Sequence, residues 1–136
     1  MDIQYSSQMP AMDSFHALFE STGWNREYQA TPEELILAVT NSQFVVNAYD
    51  GEKLVGFGRV VTDGVLHAMI YDMIILPSYQ NRGIGSRILN LLVNKCREAN
   101  IRDIQLFCAQ NKQGFYEKHG FSIRPADAPG MQYRKK

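Results

Sequence analysis

The chain carries two cysteines, one tryptophan and five prolines in 136 residues, and its formal charge sums to zero. Each shortage removes a class of protein. Cys96 and Cys108 stand apart, one in a helical pattern and one at the end of a strand pattern, so they form neither a disulfide framework nor a run with metal-ligand spacing. Fourteen basic residues against fourteen acidic ones leave no broad electrostatic footprint for nucleic acid or an anionic membrane. The one local excess, Arg134-Lys135-Lys136, reads as a solvated tail. No apolar run approaches the roughly 18 residues a membrane span requires, and Met1-Asp2-Ile3-Gln4 lacks the basic-then-apolar order of a signal peptide. A cytoplasmic chain with no metal, nucleic-acid or membrane partner is the expectation. The length suits one domain, residues 1–136, with a sizeable core.

Periodicity supplies the elements. A first helix is expected over Ala11 to Glu20, with Phe15, Leu18 and Phe19 on one side. A loop from Trp24 to Tyr28 leads to a second helix whose start is marked by Thr31, Pro32 and Glu34, the spacing of a capping box. From Phe44 the period becomes that of strands. Phe44 to Tyr49 and Leu54 to Val61 flank the hairpin signal Asp50-Gly51, and a turn at Asp63-Gly64 leads into the apolar run Val65 to Leu76. A helix carrying Ile84, Ile88, Leu91 and Leu92 follows, then a buried strand over Asp103 to Cys108 that must run parallel to the long one because a helix joins them. A short helix over Lys112 to His119 and two strands, Phe121 to Arg124 and Met131 to Arg134, complete the expected fold. The fold class is α+β: a mixed, largely antiparallel sheet with a splayed parallel pair and helices on both faces.

Between the long strand and its helix lies Gln80-Asn81-Arg82-Gly83-Ile84-Gly85-Ser86. Two glycines let the backbone approach a ligand closely, and the first amides of the following helix sit unpaired at the positive end of its dipole. This is an anion site suited to pyrophosphate. It lacks the Gly-Lys-Ser/Thr ending of a Walker loop, and Ile88 stands where a dinucleotide fingerprint needs its third glycine. The Q-x-x-G-x-G pattern resembles the pyrophosphate loop of the GNAT superfamily of acyl-CoA-dependent N-acyltransferases. Phe115-Tyr116-Glu117-Lys118-His119-Gly120-Phe121 resembles that family's second signature, and the resemblance covers roughly Phe44 to Phe121. It implies an N-acetyltransferase that moves an acetyl group from acetyl-CoA to a primary amine, with Gln80 to Ser86 and the adjoining Arg82 and Arg87 on the phosphates. The pantetheine arm would pair with Met73, Ile74 and Ile75. The partners implied are acetyl-CoA and an amine acceptor, with room for a homodimer. A non-catalytic acyl-CoA-binding sensor is the competing reading.

Acyl transfer to an amine needs a neutral amine, a stabilised oxyanion and a proton for the departing thiolate. The signature places Tyr116 over the thioester sulfur, which makes its phenol the candidate general acid; a core tyrosine with its hydroxyl at the surface is the alternative. In strict alternation Asp72 shares a face with Ala68, Ile70, Ile74 and Leu76, and a carboxylate in such an apolar row is a candidate general base. The alternatives are a strand bulge that turns Asp72 to solvent, or a salt bridge to Arg59. His67 is a second, more distant base candidate. Trp24, Arg26, Glu27 and Tyr28 fall where this fold borders its acceptor, and Trp24, Arg26 and Tyr28 are the expected substrate contacts. Many relatives hold an asparagine about seven residues before the tyrosine; here Ala109 occupies that place and Asn111 is the nearest asparagine.

Overall fold

The computed structural model describes residues 2–134. The chain forms strand β1 (Ile3–Ser6), helices α1 (Met12–Glu20), α2 (Asn25–Tyr28) and α3 (Pro32–Thr40), and strands β2 (Phe44–Asp50), β3 (Lys53–Thr62) and β4 (His67–Ile75). A single 3-10 turn (Pro77–Tyr79), helix α4 (Ile84–Glu98), strand β5 (Asp103–Leu106) and helix α5 (Gln113–Lys118) follow. Among the described residues the five strands form one sheet in chain order, and only β4 and β5 are parallel.

Local chemistry accounts for most boundaries. The capping box at α3 is complete: the Glu34 N–H donates to Thr31 Oγ1 at 3.1 Å and the Thr31 N–H to Glu34 Oε1 at 2.9 Å. The β2–β3 hairpin closes one residue later than Asp50-Gly51 suggested. Asp50 pairs with Lys53, and Gly51 takes the positive φ of the first loop position. Helix α4 lies on one face of the sheet, burying Ile84, Ile88, Leu89, Leu92 and Cys96 against Val46, Val60, Ala68 and Ile70. Helices α1 and α3 cover the other, where Phe15, Leu18, Leu35 and Val39 meet Val45, Phe57 and Ile74. Gly58 permits the close approach of α4, since a Cβ there would stand 2.8 Å from Leu92 Cδ1 and from Met73 Sδ.

Three expectations are corrected. A strand, β1, precedes the first helix and pairs with the end of β2. The Trp24 to Tyr28 loop contains a helical turn, braced by the Asn25 side chain, which donates to the Ala30 carbonyl at 3.0 Å and accepts from its N–H at 2.9 Å. Phe121 to Arg124 and Met131 to Arg134 are not strands. The Phe121 N–H is already committed to the Tyr116 carbonyl at the end of α5, and Ala128 closes a turn onto Pro125.

The strand that carries the site is itself irregular. Phe57 pairs with Ile74 but Arg59 with Tyr71, so Gly58 faces two residues of β4, and Asp72 adopts φ +56°. This bulge exchanges the faces. Ala68 and Ile70 point to α4 whereas Ile74 points to α1 and α3, so Asp72 does not share one apolar row with all of them. Its carboxylate instead receives the Arg59 Nε–H at 2.7 Å, with the two side chains 19% and 16% exposed. The same guanidinium lies 5.4 Å from the Tyr71 ring centroid and donates to Ser42 Oγ at 3.2 Å. Pairing between β4 and β5 ends at Ile70 and Leu106, and β4 runs on to Ile75 paired with β3 only. The parallel pair therefore parts beyond that point, as expected.

Candidate active site

The turn after β4 is fastened at both ends. Gln80 Nε2 donates to the Ile75 carbonyl at 3.0 Å. The Tyr79 hydroxyl donates to Asp50 Oδ2 at 2.6 Å, and Lys53 and Arg82 stand 5.8 and 5.6 Å from its ring. Asn81 and Gly83 take left-handed φ values of +62° and +83°, which folds the chain into a concave turn before α4. The first intrahelical bond runs from the Arg87 N–H to the Gly83 carbonyl at 3.1 Å. The amides of Gly83, Ile84, Gly85 and Ser86 thus precede the ladder at the positive end of a 15-residue helix. That arrangement favours a phosphate group.

One cleft of about 650 Å³ gathers most of the residues singled out from the sequence. Met73, Ile74 and Ile75 of β4, Gln80, Asn81, Gly83, Gly85 and Ser86 of the turn, Tyr116 of α5 and Trp24 before α2 all line it. Others are placed elsewhere. The Ile84 side chain is 2% exposed and belongs to the core, leaving only its backbone to the turn. Arg87 lies 5.8 Å from the Tyr5 ring and Arg82 over the Tyr79 ring, and neither arginine is among the cleft-lining residues. Asp72, Arg26 and Tyr28 are also outside the lining, with Tyr28 against Phe19 at a centroid distance of 6.4 Å. His67 pairs with Asp103 at 3.4 Å near the far end of β4.

Sequence reasoning missed Ser21, Thr22, Tyr79, Lys112, Phe115 and Lys118, which also line the cleft. Phe115 was legible, because it opens the aromatic signature that supplies Tyr116. A Cβ on Gly85 would lie 3.5 Å from its ring, so α5 packs directly over the start of α4. Ala109, which stands at the position of the expected asparagine, and Asn111, the nearest asparagine, both line the cleft as well.

Tyr116 is 9% exposed and packs edge-on against Phe115 and Phe121, with centroids 5.1 and 6.0 Å away. Burial, with a smaller contribution from the neighbouring Cys108, pushes its phenol above the ordinary 10.0. It therefore keeps its proton at neutral pH and can donate it.

Sheet, splay and turn together define an α+β domain with a cleft where its parallel strands part, lined by the turn at the N-terminus of α4. Residues 9–121 match the model of the Acetyltransferase (GNAT) family, and the chain belongs to that family. The Pyropia yezoensis protein named uncharacterized N-acetyltransferase ycf52 is 31% identical over 118 residues, which cover 84% of this chain and 66% of that one. GCN5-related N-acetyltransferase 1, chloroplastic, from Arabidopsis thaliana is 29% identical over 125 residues, or 92% of this chain and 63% of its own length. The chain thus spans about two thirds of these relatives. A GNAT-family acetyltransferase from Streptococcus pneumoniae superposes with a TM-score of 0.81 at 30% identity, covering 99% of each chain.

Proposed function

We propose that this chain is an acetyl-CoA-dependent N-acetyltransferase that acts on a primary amine, a small molecule or a peptide amine, by direct transfer in a ternary complex. The observation that carries the reading is that one cleft unites the α4 phosphate turn, the unpaired stretch of β4, the buried phenol of Tyr116 and the Ser21–Trp24 turn. The residues suit coenzyme A on the structure's own terms. The turn offers amides to a pyrophosphate, and Met73 to Ile75 have no strand partner on the β5 side, which leaves backbone groups for an amide-bearing arm. When bound, acetyl-CoA supplies the activated acyl group. The protein's share is to orient both reactants, to hold the Tyr116 proton near the leaving position and to shield the site with Phe115 and Trp24.

Asp72, bound to Arg59 outside the cleft lining, is assigned a positioning role: the pair fixes the bulge that aims Met73 to Ile75. Direct transfer fits the cysteines, since Cys96 is buried in the core and Cys108 is not among the cleft-lining residues. A panel of amines and N-terminal peptides incubated with acetyl-CoA, read by release of free thiol and by mass of the acylated product, tests the activity. Thiol release that depends on one class of amine supports it. Acetyl-CoA binding without transfer to any amine would favour the sensor reading.

A further inference from the structure

Of the β4 residues that line the cleft, Ile75 adjoins the phosphate turn, whose Gln80 side chain is fastened to its carbonyl, and Met73 lies farthest from that turn along the strand. Behind Met73 the cleft closes. Asp72 is turned to Arg59, neither it nor Tyr71 is among the lining residues, and at Ile70 the parallel strands are already joined. The Met73 side chain packs partly buried against the core beneath α4, on the opposite side of the strand from Ile74. It owes this seat to Gly58, which faces it across the bulge. A Cβ on Gly58 would stand 2.8 Å from Met73 Sδ and 3.0 Å from Ile88 Cγ2, so the thioether borders space that any side chain at position 58 would claim. Ile88 and Leu92 behind this recess are both 0% exposed, and a close-packed core leaves the thioether no further retreat.

In an acyl-CoA the phosphates and the acyl group stand at opposite ends of one arm. With the phosphates at the α4 turn and the arm along Ile75 and Ile74, the acyl group falls at Met73, in the cleft that Tyr116 also lines. We propose that Met73 sets the length of the acyl chain: seated in the Gly58 recess, it bounds a space that admits acetyl and turns away butyryl. The inference rests on the transferase reading and adds to it the chain that is transferred. Methionine is unbranched and takes its shape from what packs around it. Gly58, Ile88 and Leu92 hold it from behind and none of them lines the cleft, so they act on chain length only through Met73. In an apolar pocket one methylene too many lowers kcat/KM by about 10–200-fold.

Wild type, Met73→Ala and Met73→Leu are compared with acetyl-, propionyl- and butyryl-CoA, by kcat/KM with one amine and by calorimetric Kd without an amine. Wild type should favour acetyl-CoA in both measurements. Met73→Ala should raise the butyryl-to-acetyl ratio of kcat/KM by about 10–200-fold and shift the ratio of dissociation constants in the same direction. Met73→Leu, close to methionine in volume, should stay near the wild-type ratios. Ratios within one variant cancel any loss of folded protein, so a residue that only supports the fold would leave them unmoved. Equal use of all three donors by wild type, or a Met73→Ala variant with wild-type ratios, overturns this inference and leaves the transferase reading standing. Failure of wild type to bind any of the three overturns both.

Discussion

Gly83→Ala separates the conformational demand of the phosphate turn from its packing. Gly83 caps α4 at φ +83°, and a Cβ placed there would have no heavy atom within 4 Å. The cost of alanine is therefore that of holding an L-residue left-handed, about 1–2 kcal/mol, with no steric addition. For 136 residues the unfolding entropy is about 0.29 kcal/mol per kelvin, so the melting temperature should fall by about 4–7 °C. Gly83→Asn should lose less than half of that, because asparagine enters the left-handed region more readily. Relaxation of the alanine variant towards ordinary φ would rotate the Gly83–Ser86 amides away from their common focus. Acetyl-CoA at a hundredfold over its dissociation constant stabilises a binding-competent fold by about 2.7 kcal/mol, and the alanine variant should lose most of that shift. Differential scanning fluorimetry of the three proteins, with and without acetyl-CoA, reads both effects. Equal melting temperatures for wild type and Gly83→Ala would refute the left-handed cap, and an undiminished ligand shift would refute the role of these amides.

Other outcomes follow from the same geometry. Tyr116→Phe keeps the ring in the core and removes only the proton donor, so kcat should fall by about 10²–10⁴ while acetyl-CoA binding is kept; an unchanged kcat, where chemistry limits turnover, returns Tyr116 to a packing role. Because burial raises its pKa above the unfolded value of 10.0, the neutral phenol is favoured in the fold. That stabilisation is complete below pH 10 and is lost as pH rises through the folded value, so wild type should lose stability more steeply than Tyr116→Phe above pH 10 in denaturant titrations. Asp72→Asn removes the charge opposite Arg59 and should cost about 1–3 kcal/mol, with activity reduced alike for acceptors of every basicity. Losses confined to strongly basic amines, at an unchanged melting temperature, would instead make Asp72 a base.

Much of this site was legible because its signals are local. Thr31-Pro32-Glu34 announces a cap that forms as written, and Gly83 precedes α4 where its positive φ is needed. The parts that were not legible depend on distant partners. Asp72 was legible only as an open choice between an apolar row, a strand bulge and a pair with Arg59, and it is the bulge opposite Gly58 and the Arg59 pair that form. Arg87 reads as a phosphate ligand, and its contact with the Tyr5 ring was not legible because β1 is too short to declare itself in four residues. Ser21 and Thr22 carry no motif; the fold alone brings the end of α1 to the cleft. Phe121 to Arg124 has strand alternation, yet the cap of α5 claims the Phe121 amide first.

Isothermal titration calorimetry of the full chain with acetyl-CoA tests the central claim most directly. The cleft predicts saturable binding with one site per protomer, weakened in Gly83→Ala and preserved in Tyr116→Phe. An absence of heat at saturating acetyl-CoA and CoA, with no movement of the melting curve, would contradict it.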